Sequence, residues 1–474
     1  MKVGVIGAGP AGLTCAYQLI KAGIETHVFE ASDSVGGLAK TIKLWNQRVD
    51  LGPHRFFSKD PRVIKLWLEV VGSDYLMINR LSRIFYKNKL YRYPLKPLDV
   101  VSKLGLLESA LCLSSYFRET LSQRFYKNND ETFEGWVISR FGRRLFEIFF
   151  KAYTEKLWGI PCDHLDVDFA LQRIKKFSLY EALSNALLTG KNNNHKTLVE
   201  RFAYPAEGTG MVYERMASYI FNNGGSICLN TPISRVVNVE REVTGLELAN
   251  GKFQSCDHVV SSMPLTQLIF RLDGVPENII AYARSLEFRN TILVYLNIEN
   301  ENLFPDNWIY IHSPNLKLGR VTNFRNWSPD LYGKERGSIL ALEYWCNEID
   351  ELWSLDDNKL IELGKKELRE TGLAIEENIL DGFVYRINKC YPIYSLGYKE
   401  KLKPIENHLK TIKGLTAIGR YGSFKYNNQD HSILMGILAA ENFYNGEKHD
   451  LWDVNTDYEY QESAFITESG LKEV

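Results

Sequence analysis

KVGVIGAGPAGLTCAYQLIKAGIETHVFE, residues Lys2 to Glu30, decides the fold. Lys2–Ile6 is short and apolar, as a strand covered on both faces must be. Gly7–Gly12 (GAGPAG) is a glycine turn, and Leu13–Ala22 repeats apolar residues at helical spacing until Gly23 stops it. Glu25–Glu30 reads as a second strand. Strand, turn, helix and strand make a βαβ unit, whose parallel strands need a crossover connection. The fold class that follows is α/β, with a Rossmann-like nucleotide-binding domain. Within GxGxxG, Gly7 permits the tight turn, and Gly9 lets a pyrophosphate approach the backbone. Gly12 lets helix and strand pack closely, and Ala11 beside it is counted with the cofactor-binding residues. The helix N-terminus then offers unpaired N–H groups and a partial positive charge to phosphate. Glu30, eighteen residues beyond Gly12, offers its carboxylate to ribose hydroxyls.

Working outward, Ser34–Ala39 (SVGGLA) supplies a second glycine pair, Gly36 and Gly37, followed by Leu38. This pair resembles the extended phosphate-binding motif of flavoproteins of the glutathione-reductase and amine-oxidase type. The resemblance implies non-covalent FAD rather than NAD. Near the other end, Leu415–Ile418 is a short apolar strand followed by Gly419-Arg420, and Asp430–Asn442 (DHSILMGILAAEN) has helical spacing. In such flavoproteins this segment returns to the flavin ring. Asp430, His431 and Ser432 then sit at a helix N-terminus that can stabilise negative charge on reduced flavin. Val237, in the alternating stretch Ser226–Glu247, joins the cofactor set by the same resemblance.

The rest of the chain sets bounds. It has 474 residues, 45% hydrophobic, enough for more than one core. A net charge of −1 provides no field to recruit nucleic acid. Seven scattered cysteines without a CxxC pair argue for reduced thiols in a cytoplasmic protein, not a disulfide framework or a metal site. No run of eighteen apolar residues predicts a transmembrane span, and glycines follow the first strand too soon for a signal peptide. Val101–Tyr116 is apolar but interrupted by Glu108. It is expected to be a packed helix, with a membrane-surface contact as the alternative. Arg62–Val71, Leu98–Thr120 and Phe133–Tyr153 predict helices, and residues 188–197 a polar loop. Thr291–Leu296, Trp308–His312 and Ser338–Trp345 predict strands. The expected organisation is an FAD domain in three pieces, residues 1–78, 200–270 and 385–446. A mostly helical substrate region (79–199), a sheet-containing one (271–384) and a tail (447–474) complete it.

Several stretches, in order, resemble UDP-galactopyranose mutase. Leu51–Phe57 (LGPHRFF) resembles the segment that places a histidine by the flavin, which implies that Gly52, Pro53 and His54 meet the cofactor. Phe149–Gly159 (FFKAYTEKLWG) resembles the segment whose Tyr and Trp lie where uridine binds, so those roles pass to Tyr153 and Trp158. A turn between the two is expected to aim both at one cleft. Gly319–Phe324 (GRVTNF) resembles the region supplying an arginine to the diphosphate, hence Arg320, with Asn323 beside it. Leu90–Leu95, Tyr391-Pro392 and Gly419-Arg420 also fall in register. The second diphosphate arginine of the mutases has no secure counterpart in Arg173–Phe177 (RIKKF), where Lys176 is the candidate. The final tyrosine-rich run is here more polar, FKYNNQDH, with Tyr426 as the substrate contact.

The resemblance implies pyranose–furanose isomerisation of a nucleotide sugar, as in polysaccharide biosynthesis. Reduced flavin N5 forms a sugar adduct while the diphosphate departs and returns. His54, Arg320, Tyr391 and Arg420 are the implied catalytic set. Arg320 is expected to grip the diphosphate and to have little part in the fold. A reductant such as NAD(P)H is implied, and a homodimer is left open. The alternative is an oxidoreductase of the protoporphyrinogen oxidase, amine oxidase or desaturase type, which would have an apolar pocket and no diphosphate clamp. A flavin-binding protein without catalysis is a third class.

Overall fold

The computed structural model describes residues 1–122, 131–173, 201–375, 378–454, 464–467 and 470–473. Lys176 and the stretch 188–197 lie outside them. Lys2–Ile6 is the middle strand of a five-stranded parallel sheet. Its order is Leu415–Ala417, His258–Ser261, Lys2–Ile6, Glu25–Phe29 and Ser226–Cys228. Val3, Val5, Val28 and Val259 are wholly buried, as strands covered on both faces require. The first helix spans Pro10–Lys21, starting before the expected Leu13 because proline fits the first helical position. The helix Gln429–Tyr444 lies against it. A Cβ at Gly436 would stand 2.6 Å from the Ala11 carbonyl oxygen and 2.7 Å from Thr14 Cβ, so the close crossing needs glycine there.

A seven-stranded mixed sheet faces the carboxyl ends of the parallel one. Its order is Ile379–Pro392, Phe288–Ile298, Ser338–Cys346, Arg320–Asn323, Trp308–Ile311, Ser82–Tyr86 and Lys89–Arg92. All neighbours are antiparallel except Trp308–Ile311 with Ser82–Tyr86. An antiparallel three-stranded sheet (Ile233–Val239, Glu242–Leu248, Phe253–Ser255) stands beside the first.

Several local expectations are corrected. The region expected to be mostly helical contains Tyr75–Asn79, Ser82–Tyr86 and Lys89–Arg92 as strands. The last two are joined by Lys87-Asn88, both at positive φ (48° and 57°), as a two-residue hairpin turn demands. The helix expected over Leu98–Thr120 divides at Gly105 (φ +91°) into Pro97–Leu104 and Leu106–Ser122. Phe133–Tyr153 is not continuous either. Phe133–Phe141 ends at Gly142, and a π-helical turn over Glu147–Lys151 precedes Ala152–Trp158. No turn separates Tyr153 from Trp158. The strands Arg320–Asn323 and Ile379–Pro392 were not expected from the sequence; the latter (ILDGFVYRINKCYP) does not alternate cleanly. All seven cysteines are free thiols. No helix among the described residues is long and apolar enough to cross a membrane.

Candidate active site

One cavity of about 780 Å³ runs between the two large sheets. Its first half is built by the glycine turn. Gly7, Gly9 and Ala11 line it, and a Cβ on Gly9 would meet nothing nearer than Gly37 Cα at 3.8 Å. A Cβ on Gly37, which sits at φ +54°, would come 3.1 Å from Gly9 Cα. The two glycine loops therefore touch, and together they form one side of a slot against which a pyrophosphate would lie. The helix behind the slot has no side-chain cap and no acidic residue in its first turn, so its N-terminal charge is left for an anion. Glu30 lines the cavity at the end of its strand. It accepts hydrogen bonds from Ala8 N–H (2.7 Å) on one oxygen and from the Ser32 N–H and hydroxyl (2.8 Å each) on the other. That leaves lone pairs for ribose hydroxyls.

Some expected cofactor residues act from behind the surface. Gly12 does not line the cavity: its α-carbon lies so near the Gly7 carbonyl that no Cβ fits. Gly36 (φ +100°) fixes the second glycine loop by donating its N–H to the Ala8 carbonyl at 2.8 Å. Leu38, Pro53, Gly419, Asp430 and Ser432 line the cavity. Gly52 does not, but its φ of +118° sets the turn into Pro53-His54. His431 also lies outside the lining. Its Nδ1 accepts from Asn428 N–H at 3.2 Å in a capping box. Val237 is not brought to the cavity either; Ile233, four residues earlier on the same strand, is. The residue at the sheet's entry, not its middle, reaches the nucleotide end.

The second half is aromatic and cationic. Register decides its centre. Arg320 and Glu343 are directly opposed on neighbouring antiparallel strands, and Nε and Nη2 of the guanidinium each meet a carboxylate oxygen at 2.6 Å. Burial works against the charge on Arg320. The Glu343 carboxylate outweighs it, so the guanidinium is held charged far beyond its ordinary range. Arg420 is fixed by the Cys390 carbonyl (3.0 Å) and the Asn427 carbonyl (2.8 Å). It lies over the rings of Tyr391 and Tyr426, at 4.8 and 4.4 Å, and those rings stack 5.4 Å apart. Tyr153 stacks on His312 with ring centres 4.6 Å apart. Burial pushes the Tyr153 and Tyr391 phenols well above their ordinary values, so both stay protonated. His54 is half-buried, and its Nδ1, shielded from solvent, has no hydrogen-bond partner among the described residues. Burial, then the Arg320 and Arg420 charges, push its pKa down to about 3, so the ring is neutral.

Two expected substrate contacts fall elsewhere. Trp158 is wholly buried and does not line the cavity; it packs behind Tyr391 and Tyr426, at 6.1 and 5.8 Å. Five positions along one helical run put it on a different face from Tyr153. Asn323 is buried with its amide donating to the Phe304 carbonyl at 3.3 Å, because it ends the strand away from the cavity. Other residues were missed. Glu343 is the single charge in the buried strand SILALEYWC, a signal visible in the sequence. His312 and Tyr310 follow from strand placement alone. Asp50 is buried and accepts from Thr41 (2.5 Å), Tyr204 (2.7 Å) and the Thr209 hydroxyl (2.8 Å). The same Thr209 hydroxyl shares its proton with the His54 carbonyl at 3.0 Å, so this knot holds the Gly52–His54 turn.

A nucleotide-binding sheet, a slot formed by two glycine loops and an adjoining cage of tyrosine and arginine define the class: a flavin-dependent enzyme with the amine-oxidase type of FAD fold. The family model for flavin-containing amine oxidoreductases matches residues 10–471, and the chain belongs to that family. It is 22% identical over 476 residues to coproporphyrinogen III oxidase of Staphylococcus aureus, covering 93% of this chain and 98% of that one. The corresponding Mycobacterium tuberculosis protein is 24% identical over 84% of this chain and 88% of its own. Among solved structures, reduced UDP-galactopyranose mutase superposes with a TM-score of 0.83 at 22% identity, over 96% of both chains. A putrescine oxidase variant gives 0.65 at 16%, over 94% of this chain and 99% of that one.

Proposed function

We propose that the protein is an FAD-dependent enzyme that rearranges the ring of a nucleotide sugar, in the manner of a pyranose–furanose mutase. The observation that carries this reading is the pairing of two half-buried guanidinium groups, Arg320 and Arg420, with the rings of Tyr153, Tyr391 and Tyr426 in one cage. Glu343 pairs with Arg320, so two cations stand against one carboxylate there. The cage therefore favours an anion and disfavours the ammonium group of an amine substrate. Flat phenol faces suit a base and a pyranose, and a planar fork suits a diphosphate.

The glycine slot and Glu30 would hold the pyrophosphate and ribose of FAD. The flavin, bound and reduced by NAD(P)H or another donor, supplies the electron-rich centre for the anomeric carbon. The chain's own residues bind and orient. Arg420 is immobilised by two carbonyls, so its charge is fixed before substrate arrives. His54, neutral, adds no charge beside the ring system. Arg320 shares its fork with Glu343, so it contributes field more than a free bidentate grip.

The full-length likeness to coproporphyrinogen III oxidases, together with the engagement of Arg320 by Glu343, favours a second reading: oxidation of a carboxylate-bearing ring substrate. One experiment separates them. Anaerobic, dithionite-reduced enzyme is mixed with UDP-galactopyranose and with UDP-glucose, and the products are resolved by chromatography. Ring interconversion without consumption of reductant supports the mutase reading. No interconversion there, with stoichiometric O₂ uptake when oxidised enzyme is given a porphyrinogen in air, overturns it.

A further inference from the structure

The helix Leu106–Ser122 is amphipathic in the inverted sense. Leu106, Leu107, Ala110, Leu111, Leu113, Phe117 and Leu121 are exposed, whereas Glu108, Ser109, Cys112, Ser115 and Glu119 face the protein or are half-buried. At 100° per residue the exposed set covers one continuous arc, which also carries exposed Ser114 and Arg118. Leu106 is 82% exposed, Leu107 78% and Phe117 60%. The preceding helix, Pro97–Leu104, buries no residue at all, and its Leu98 is 76% exposed. Scattered exposed leucines need no explanation; a run of them on one arc does.

The charges around this arc are one-sided. Between Lys87 and Leu121 stand Lys87, Lys89, Arg92, Lys96, Lys103 and Arg118 against Asp99, Glu108 and Glu119. Two of the three carboxylates are already paired, Asp99 with Lys103 at 2.5 Å and Glu108 with Arg144 at 2.6 Å. Lys87, Lys89, Arg92, Lys96 and Arg118 are exposed. An apolar arc bordered by cations complements a bilayer whose headgroups are anionic. The patch is also continuous with the cavity. Tyr93 is exposed yet lines it, Leu95 lines it, and Leu95 packs in one cluster with Val100 and Leu104.

We infer that residues 97–122 are a docking face for an anionic membrane surface, which sets the Tyr93 side of the cavity at the lipid boundary. Leu106–Ser122 has 17 residues, so it would lie in the interface and not cross it.

The test uses full-length, flavin-loaded protein with vesicles of phosphatidylcholine alone and of phosphatidylcholine with phosphatidylglycerol. Flotation should recover the wild type with the anionic vesicles and far less with the neutral ones. Leu107→Glu/Phe117→Glu should lower that recovery at least tenfold with flavin content and melting temperature unchanged. Lys87→Gln/Lys96→Gln should lower it less and flatten its salt dependence. Light scattering without vesicles covers the other occupant. A wild-type dimer that Leu107→Glu/Phe117→Glu splits into monomers, with no flotation of the wild type, would assign the face to a second copy and overturn the inference. So would equal recovery of wild type and variant on anionic vesicles.

Discussion

Arg320 and Glu343 show how a single strand register creates a chemical group. Neither side chain alone tolerates its burial; opposed across two strands, they form a bidentate pair that the cavity touches. The expectation that Arg320 has little part in the fold is therefore revised. Arg320→Ala leaves a buried carboxylate uncompensated and should cost about 3–5 kcal/mol in urea unfolding. Arg320→Met/Glu343→Leu should recover most of that loss while nucleoside diphosphate binding by titration calorimetry stays at least about tenfold weaker, one decade being 1.4 kcal/mol. Restored binding in the double variant would remove Arg320 from the site. His54 makes a prediction in pH. Its folded pKa of about 3 lies below the ordinary 6.5, so the unfolded chain takes up the proton first. Stability is whole above pH 6.5 and falls as pH drops from there toward 3. His312, also near 3, and His258, near 4, act in the same sense. His54→Asn should therefore shallow, not abolish, the acid-side fall in melting temperature. His54 was legible from LGPHRFF. Its neutrality was not, because both arginines reach it from strands and turns far away in sequence.

At the scale of elements, the glycine turn was the most legible part, since each glycine answers a local steric demand. Gly9 and Gly12 separate two such demands. The Cβ of Gly9→Ala fits among the protein atoms but enters the phosphate slot, whereas that of Gly12→Ala strikes the Gly7 carbonyl. Gly9→Val should thus keep circular dichroism and solubility while losing the yellow colour of bound flavin; Gly12→Ala should lose both. Folded, flavin-loaded Gly9→Val would contradict the slot. Other elements were less legible. The three strands within Tyr75–Arg92 are too short for periodicity to separate from helix, and only the Lys87-Asn88 turn marks them. Trp158 was misplaced because a motif gives a residue's neighbours in sequence but not its face on the helix. The break at Gly105 matters as well: it turns one expected packed helix into two, the second of which presents its apolar arc outward.

At the scale of the molecule, the parallel sheet draws strands from widely separated parts of the chain. Val3 pairs with His258, and Val259 with Leu415. The cavity needs Gly419, Arg420 and Tyr426 from beyond the last of them. Ending the chain after Lys410 should give colourless protein that does not refold with added FAD, as read by flavin fluorescence after filtration; a yellow truncated product would show the remaining four strands to be sufficient. Which strands neighbour one another was not legible, because hydrophobic pattern fixes burial but not partner.

That interleaving has a consequence in time. The first strand leaves the ribosome long before its partner His258–Ser261, with the residue pair Lys2 and Asp257 separated by 255 positions. At roughly 5–20 residues per second, that wait is on the order of 13–50 s, and Leu415–Ala417 comes later still. Through it, Lys2–Ile6 is an apolar strand with an open edge, the kind of segment that seeks any neighbour. Flavin gives no help during that wait, because the cavity that would hold it takes Gly419 and Arg420 from beyond Leu415–Ala417. A chain stalled before residue 415 should aggregate whether or not riboflavin is supplied.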